Sequence, residues 1–294
     1  MTTKNLVQHS DQDIQDFINH IWHEGKRLYR DLEWRNTDDP YAVLVSEVML
    51  QQTQVKRVQG YWPRFLSLFP TLDALAVAES SLVLEQWQGL GYNRRALSLK
   101  KAAEICATKY GGLLPRTDAE LQALPGIGPA TAAGIRAFAY REPSVYIETN
   151  VRTVFIHHFF PESEKVKDAD LYPLVEKTCS QEDPRSWYYA LLDYGAFLKQ
   201  DGINPSRRSA HHTIQSSFEG SRRQKRAEIL RCVLAQPGIG ADELYKMLST
   251  FEVAANREKP HRELFDSIVN DMLEEGFFRQ EHCGNDDNAA KFFA

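Results

Sequence analysis

Apolar side chains recur at helical spacing along most of the chain, which predicts a mainly helical protein. Ile14, Phe17, Ile18, Ile21 and Trp22 place an amphipathic helix within Asp11 to Leu32. Pro40 opens a helix through Gln51, in which one carboxylate, Glu47, stands among Ser46, Val48 and Met49. Tyr61, Trp62, Phe65, Leu68 and Phe69 are core by spacing, on a helix whose other face carries Lys56, Arg57 and Arg64, and FPTLDALA then gives a turn and a short helix. Gly89 to Ile105 reads as a glycine turn running into a helix with Arg94, Arg95, Lys100 and Lys101. A further helix begins near Pro129, another after Glu148 with Thr149 or Asn150 as its cap, and Arg185 to Gln200 forms one more. Ser217 to Arg226 reads as a linker entering a basic helix start. Three helical patterns follow at 227–235, 241–248 and 261–275, and GFFRQEHCGNDD closes them as a strand and turn. Three short helices and a hairpin predict a winged-helix-like α+β domain over 222–294, after a helical domain over 1–216.

Composition narrows the function classes. With 294 residues, 43% hydrophobic and 26% charged, the chain has room for two domains and a sizeable core. A net charge of -5 supplies no global basic field, so a nucleic-acid surface has to be a local patch. Cys106, Cys179, Cys232 and Cys283 are scattered without metal-ligand spacing, and no disulfide is expected. No apolar run is long enough to cross a bilayer, which predicts a cytoplasmic, nucleoid-associated protein with no membrane partner.

The chemistry converges on Leu124 to Asn150. LPGIG ends one helix, and Gly126 and Gly128 suit a tight turn. The next helix, with Ala130, Ala132, Ala133 and Gly134 on a thin face, directs its first unbonded amides out of the turn, where a phosphate oxygen fits. Gly126, Gly128, Ala130 and Thr131 are therefore candidate DNA-backbone contacts. A helix-hairpin-helix used only for packing, or a chance glycine turn, is the alternative. Glu148, at the start of the following helix, is an acid held where an ionised carboxylate is stabilised. From periodicity alone Glu47 reads equally well as a solvated side chain.

Together with VSEVMLQQTQV (Val45 to Val55) and GLGYNRRALSLKKAA (Gly89 to Ala103), this stretch resembles the helix-hairpin-helix (HhH-GPD) DNA glycosylase superfamily, nearest to its MutY adenine glycosylase branch. The resemblance runs from about Tyr41 to Gln200 and implies the superfamily's two-lobed helical fold, with the winged-helix-like tail appended. It implies Glu47 as general acid, Gln52 as the residue entering the gap left by a flipped base, Tyr92 as a wedge, and Arg94, Arg95 and Asn150 near DNA. Three departures stand out. Glu148 occupies a place where the family has aspartate, and extends the reach by about 1.5 Å. Asn93 replaces a second tyrosine. Ala130 stands where strand-cleaving members carry the Schiff-base lysine, which implies a monofunctional hydrolase.

Many relatives bind a four-iron, four-sulfur cluster after the helix ending at Gln200. The four places fall here at Lys199, Ser206, Ser209 and Gln215, none a thiolate, so no cofactor is expected. Arg207, Arg208, His211 and His212 form a surface loop or a phosphate contact; the histidines lack further ligands for zinc. Over 222–294 acidic residues outnumber basic ones, so this domain suits a protein partner or dimerisation as well as DNA.

The expectation is a base-excision repair enzyme. It would extrude a mispaired or damaged base from double-stranded DNA, adenine opposite guanine or oxidised guanine in the first instance, and hydrolyse its glycosidic bond to leave an abasic site. A glycosylase of other base specificity, or a non-catalytic lesion-binding protein on the same scaffold, are the alternatives, and Glu148 keeps them open.

Overall fold

The computed structural model describes residues 10–213, 216–282 and 290–294. It divides into two compact units that the chain visits alternately, Met1–Gln51 with Leu114–Ile214, and Gln52–Leu113 with Gln215–Ala294. Helices α1 (Asp11–Leu28) and α2 (Pro40–Leu50) begin the first unit. Helices α3 (Val55–Leu68), α4 (Leu72–Val77), α5 (Ser80–Trp87) and α6 (Arg94–Lys109) then belong to the second. The chain returns to the first with α7 (Asp118–Gln122), α8 (Pro129–Phe138), α9 (Thr149–Phe159), α10 (Asp168–Thr178) and α11 (Pro184–Gln200). It ends in the second with α12 (Arg222–Ala235), α13 (Ala241–Ala254) and α14 (Arg262–Glu274).

In the first unit α11 packs against α1 and α9, and α8 packs against α2. Phe17, Ile21, Leu44, Phe155, Trp187 and Tyr188 are buried there. α1 stops at Leu28, short of the expected Leu32, because the chain turns to meet α11: the Arg30 amide donates to Asp193 Oδ2 at 3.1 Å and its Nε to Oδ1 at 2.6 Å. Arg35, in a 3-10 turn just beyond, gives Asp193 two more bonds of 2.7 Å each. The result is a buried guanidinium and carboxylate fixing α11.

The second unit has an apolar centre at Phe65, Leu75, Leu84 and Trp87, and another at Ile229, Leu248, Phe265 and Ile268. Strands β1 (Ile239–Gly240), β2 (Arg279–His282) and β3 (Ala290–Phe293) form an antiparallel sheet in the order β1-β3-β2, with Phe292 opposite both Ile239 and Gln280. With α12 to α14 this is the α+β tail expected from the sequence. The basic stretch at Arg222 is itself the first turn of α12, capped by Ser221 accepting from the Gln224 amide. The expected turn after β2 lies outside the described residues, as does Cys283. Cys106, Cys179 and Cys232 are free and buried. Among the described residues no helix is long and apolar enough to cross a membrane.

Candidate active site

The site lies wholly within the first unit and is assembled from α2, α8, α9, α11 and the extended segment before α9. Glu47 leaves the middle of α2 toward α8, and the small face of α8 gives it room: a methyl group on Gly134 would lie 2.4 Å from Glu47 Oε2. Tyr146 closes another side, its hydroxyl donating to Glu47 Oε2 at 3.3 Å. Burial pushes the Glu47 carboxyl up to about 8, and the negative charge of Glu148 pushes the same way, while the Tyr146 bond opposes both. Glu47 is thus held protonated at neutral pH. Tyr146 is itself buried, and its hydroxyl titrates well above the ordinary tyrosine range for the same reason.

Glu148 is the N-cap of α9, in place of the expected Thr149 or Asn150. Its Oε1 accepts from the Asn150 amide at 2.5 Å and the Val151 amide at 3.1 Å. The additional methylene therefore does not thrust the carboxylate outward, since the side chain folds back over its own helix. Burial raises its pKa; Lys199, the two amides and Arg152 act in the opposite sense. Glu47 feels the Glu148 charge, so the two acids belong to one electrostatic site. One is kept neutral by its surroundings, and the other is supplied with donors and cations suited to its anion.

The hairpin stands next to them. α7 ends, Leu124 N and Ile127 N bond back to Leu121 O and Leu124 O, and Gly128 caps α8. Only Gly126 takes a left-handed φ, of 79°; Gly128 has φ -90°, and a methyl group there would meet nothing within 4 Å. The conformational argument for glycine therefore holds at Gly126 alone, while Gly128 leaves open space beside the helix end. Helix geometry leaves the Ala130 and Thr131 amides without an intrahelical acceptor. Thr131 Oγ1 accepts from Gln51 Nε2 at 3.1 Å, so the end of α2 is stapled to the hairpin. The sequence pattern singled out Gln52 and passed over Gln51; the staple spans 80 residues and leaves no local signal.

Asn150 accepts from Lys199 Nζ at 2.7 Å through Oδ1. Lys199, Ser206 and Ser209 stand at three of the four places expected for cluster ligands; the fourth, Gln215, lies outside the described residues. Ser206 Oγ is bonded to Asn204 Oδ1 at 2.6 Å, and Arg208 Nη1 donates to the carbonyls of Phe160, Pro161 and Ser163 at 2.7 to 2.9 Å. An ammonium group and hydroxyls cannot replace thiolates on iron, so these residues do not fit the cluster. A guanidinium holds this loop to the end of α9 instead. Among the described residues no group of three or more His, Cys, Asp or Glu is placed to hold a metal ion, and His211 Nε2 lies 3.7 Å from Asp168 Oδ2.

The other candidates lie in the second unit. Gln52 and Tyr92 both hold left-handed φ, of 56° and 48°, a conformation that costs a non-glycine residue and that gathers at functional positions. Tyr92 is exposed, and its hydroxyl accepts from Arg223 Nη1 at 3.1 Å. Arg94 pairs with Glu275 at 2.6 Å. Arg95 turns inward, bonding Gly91 O at 2.8 Å and Thr53 Oγ1 at 3.0 Å, and burial brings its pKa down to about 10. Lys100 and Lys101 both pair with Glu104.

Comparison with known proteins places this architecture. Residues 45–177 match the HhH-GPD superfamily base excision DNA repair protein model, and that stretch is similar to the superfamily. The chain is 34% identical over 188 residues to an adenine DNA glycosylase of Buchnera aphidicola subsp. Baizongia pistaciae, covering 63% of this chain and 52% of that protein. It is 42% identical over 134 residues to the adenine DNA glycosylase of Mycolicibacterium smegmatis, covering 45% of each. The chain thus spans about half the length of these curated relatives. Among solved structures, a thermostable thymine-DNA glycosylase matches with a TM-score of 0.58 at 22% identity, covering 67% of this chain and 95% of that one, which establishes the fold.

Proposed function

We propose that this protein is a monofunctional DNA glycosylase that removes adenine mispaired with guanine or oxidised guanine, working without an iron–sulfur cluster. The single observation that carries the reading is the unequal pair of acids: Glu47 held neutral near pH 7, and Glu148 held by two amides within its electrostatic reach. The glycosidic bond of an unmodified purine breaks slowly because the base leaves as a poor anion. A proton from Glu47 to a ring nitrogen makes the departing base neutral as the bond's electron pair moves onto it. Positive charge then develops on the sugar, where Glu148 is the stabilising anion. Water bonds to the sugar carbon, loses a proton, and leaves the abasic site. Ala130 offers no amine at the hairpin, which favours hydrolysis over lyase chemistry there.

Double-stranded DNA is the proposed partner. Gly126, Gly128, Ala130 and Thr131 would hold the strand backbone, with Gln52 and Tyr92 at the extruded base's gap and Arg94 and Arg95 beside them. Asn150 would face the sugar. The winged-helix-like residues 222–294 contact a protein partner or a second copy in this reading, and the enzyme works in the cytoplasm on nucleoid DNA. The test is base release from duplexes carrying A opposite G, A opposite oxidised guanine, and a panel of other mispairs and damaged bases. Release of free adenine, lost in Glu47→Gln with DNA binding retained, is the expected outcome. Tight binding with no release from any duplex would overturn the enzyme reading.

A further inference from the structure

We infer that Lys199 is a positioning residue for the hydrolytic step: its ammonium fixes the Asn150 carboxamide and sets a positive charge beside the Glu148 carboxylate. The inference rests on the function proposed above and adds a role for a residue that approaches the site from α11.

The geometry begins with Gly195. A methyl group there would lie 2.4 Å from Asn150 O and 2.8 Å from Asn150 Cβ, so a glycine is needed for α11 to come this close to the start of α9. Lys199 is four residues on, on the same face of α11. It therefore arrives over the first turn of α9, where Nζ donates to Asn150 Oδ1 at 2.7 Å. The Asn150 amide is bonded to Glu148 Oε1 at 2.5 Å. One asparagine is thus gripped at its side chain by Lys199 and at its backbone by Glu148.

The charges around Glu148 come from every element packed against it. Glu47 on α2 is held neutral, and the hydroxyl of Tyr146 stays protonated. Arg152 on α9 is engaged by Asp168 of α10 through two bonds, of 2.7 and 2.6 Å, so its charge is largely offset. Lys199 on α11 has the neutral Asn150 carboxamide as its hydrogen-bond partner, and its charge is the largest influence opposing the effect of burial on Glu148. The coupling is mutual, since burial lowers the Lys199 pKa and the Glu148 charge offsets part of that effect.

The sign of the consequence is fixed. Glu148 acts as an anion, so base release fails as pH falls through its pKa. Lys199 keeps that pKa down, and removing its charge moves the acid limb to higher pH. The experiment is the single-turnover pH–rate profile of wild type, Lys199→Met, Lys199→Gln and Lys199→Arg on the A·G duplex. Carbon-13 NMR titration of the Glu148 carboxyl in the free protein accompanies it. Methionine and glutamine should each move the acid limb and the carboxyl midpoint up by about half a pH unit or more. Arginine should restore both. Glutamine keeps a donor for Asn150, so its shift isolates the charge, and it stands in if methionine fails to fold. An unmoved limb and midpoint with rate lost equally at every pH would overturn the role of Lys199 while leaving the glycosylase reading intact. Absence of base release by the wild type overturns the glycosylase reading, and with it the catalytic role of Lys199, whatever the NMR midpoint does.

Discussion

Gly134 lies directly under Glu47, close enough that a single methyl group on it would fall 2.4 Å from the carboxyl Oε2 and 3.0 Å from Tyr146 Cε2. The neighbour that has to yield is the end of a flexible side chain, so Gly134→Ala should displace the acid and leave the fold standing. Alanine also favours the helix by about 0.5–1 kcal/mol, which offsets part of the strain. We expect the single-turnover rate of base release to fall about 100-fold, the effect of moving a reacting group by about 1 Å, with little change in Tm. A fully active Gly134→Ala enzyme would show that Glu47 is not the acid.

Tyr146 makes the pH dependence testable. Glu47 must be protonated to act, so activity is lost as pH rises through its pKa of about 8. The Tyr146 hydroxyl donates to Oε2 and favours the ionised form. Tyr146→Phe removes that donor, so the basic limb of the pH–rate profile should move upward. Movement to lower pH would contradict the assigned donor and acceptor roles.

Asp193 joins the site to the core, since it anchors α11, from which Gly195 and Lys199 extend. Its side chain is fully buried, and that of Arg35 is 2% exposed. Replacing Asp193 with alanine strands a buried guanidinium that also lies over the Tyr189 ring at 4.3 Å. The expected loss is about 3–5 kcal/mol in urea unfolding, as for a buried pair with one partner removed. A loss within the range of an exposed pair, below about 1 kcal/mol, would mean that water reaches Arg35.

How far the sequence foretold these relations depends on the range over which each is built. Apolar periodicity marks α1, α2, α11 and the three tail helices because a buried helix face repeats within a few residues. Glu47 is visible for the same reason, as an acid inside an apolar run. Tyr146 is not, since it meets Glu47 from 99 positions away and looks locally like one more aromatic in a loop. Lys199 stands out in the sequence only as a non-thiolate at a cluster place and Gly195 not at all, since their contacts come from the approach of α11 to α9. Glu148 as its own helix cap was missed because glutamate is a poor capping residue by composition. The bonds of Arg95 to the Leu90 and Gly91 carbonyls and to the Thr53 hydroxyl leave no mark in the sequence, because Thr53 comes from 42 residues away.

The two hairpin glycines should separate folding from binding. At Gly126 the φ of 79° penalises any side chain, so Gly126→Ala should cost about 1–2 kcal/mol and lower Tm, whatever DNA does. At Gly128 the backbone is ordinary and the space beside it is open, so Gly128→Ala should melt like wild type. If a phosphate oxygen docks on the amides at the start of α8, the new methyl group intrudes on it instead. Affinity for an abasic-site duplex, followed by fluorescence anisotropy, should then weaken by about tenfold, the equivalent of about 1.4 kcal/mol. Wild-type affinity in Gly128→Ala would leave the hairpin as a packing element, with the DNA backbone held elsewhere on the protein.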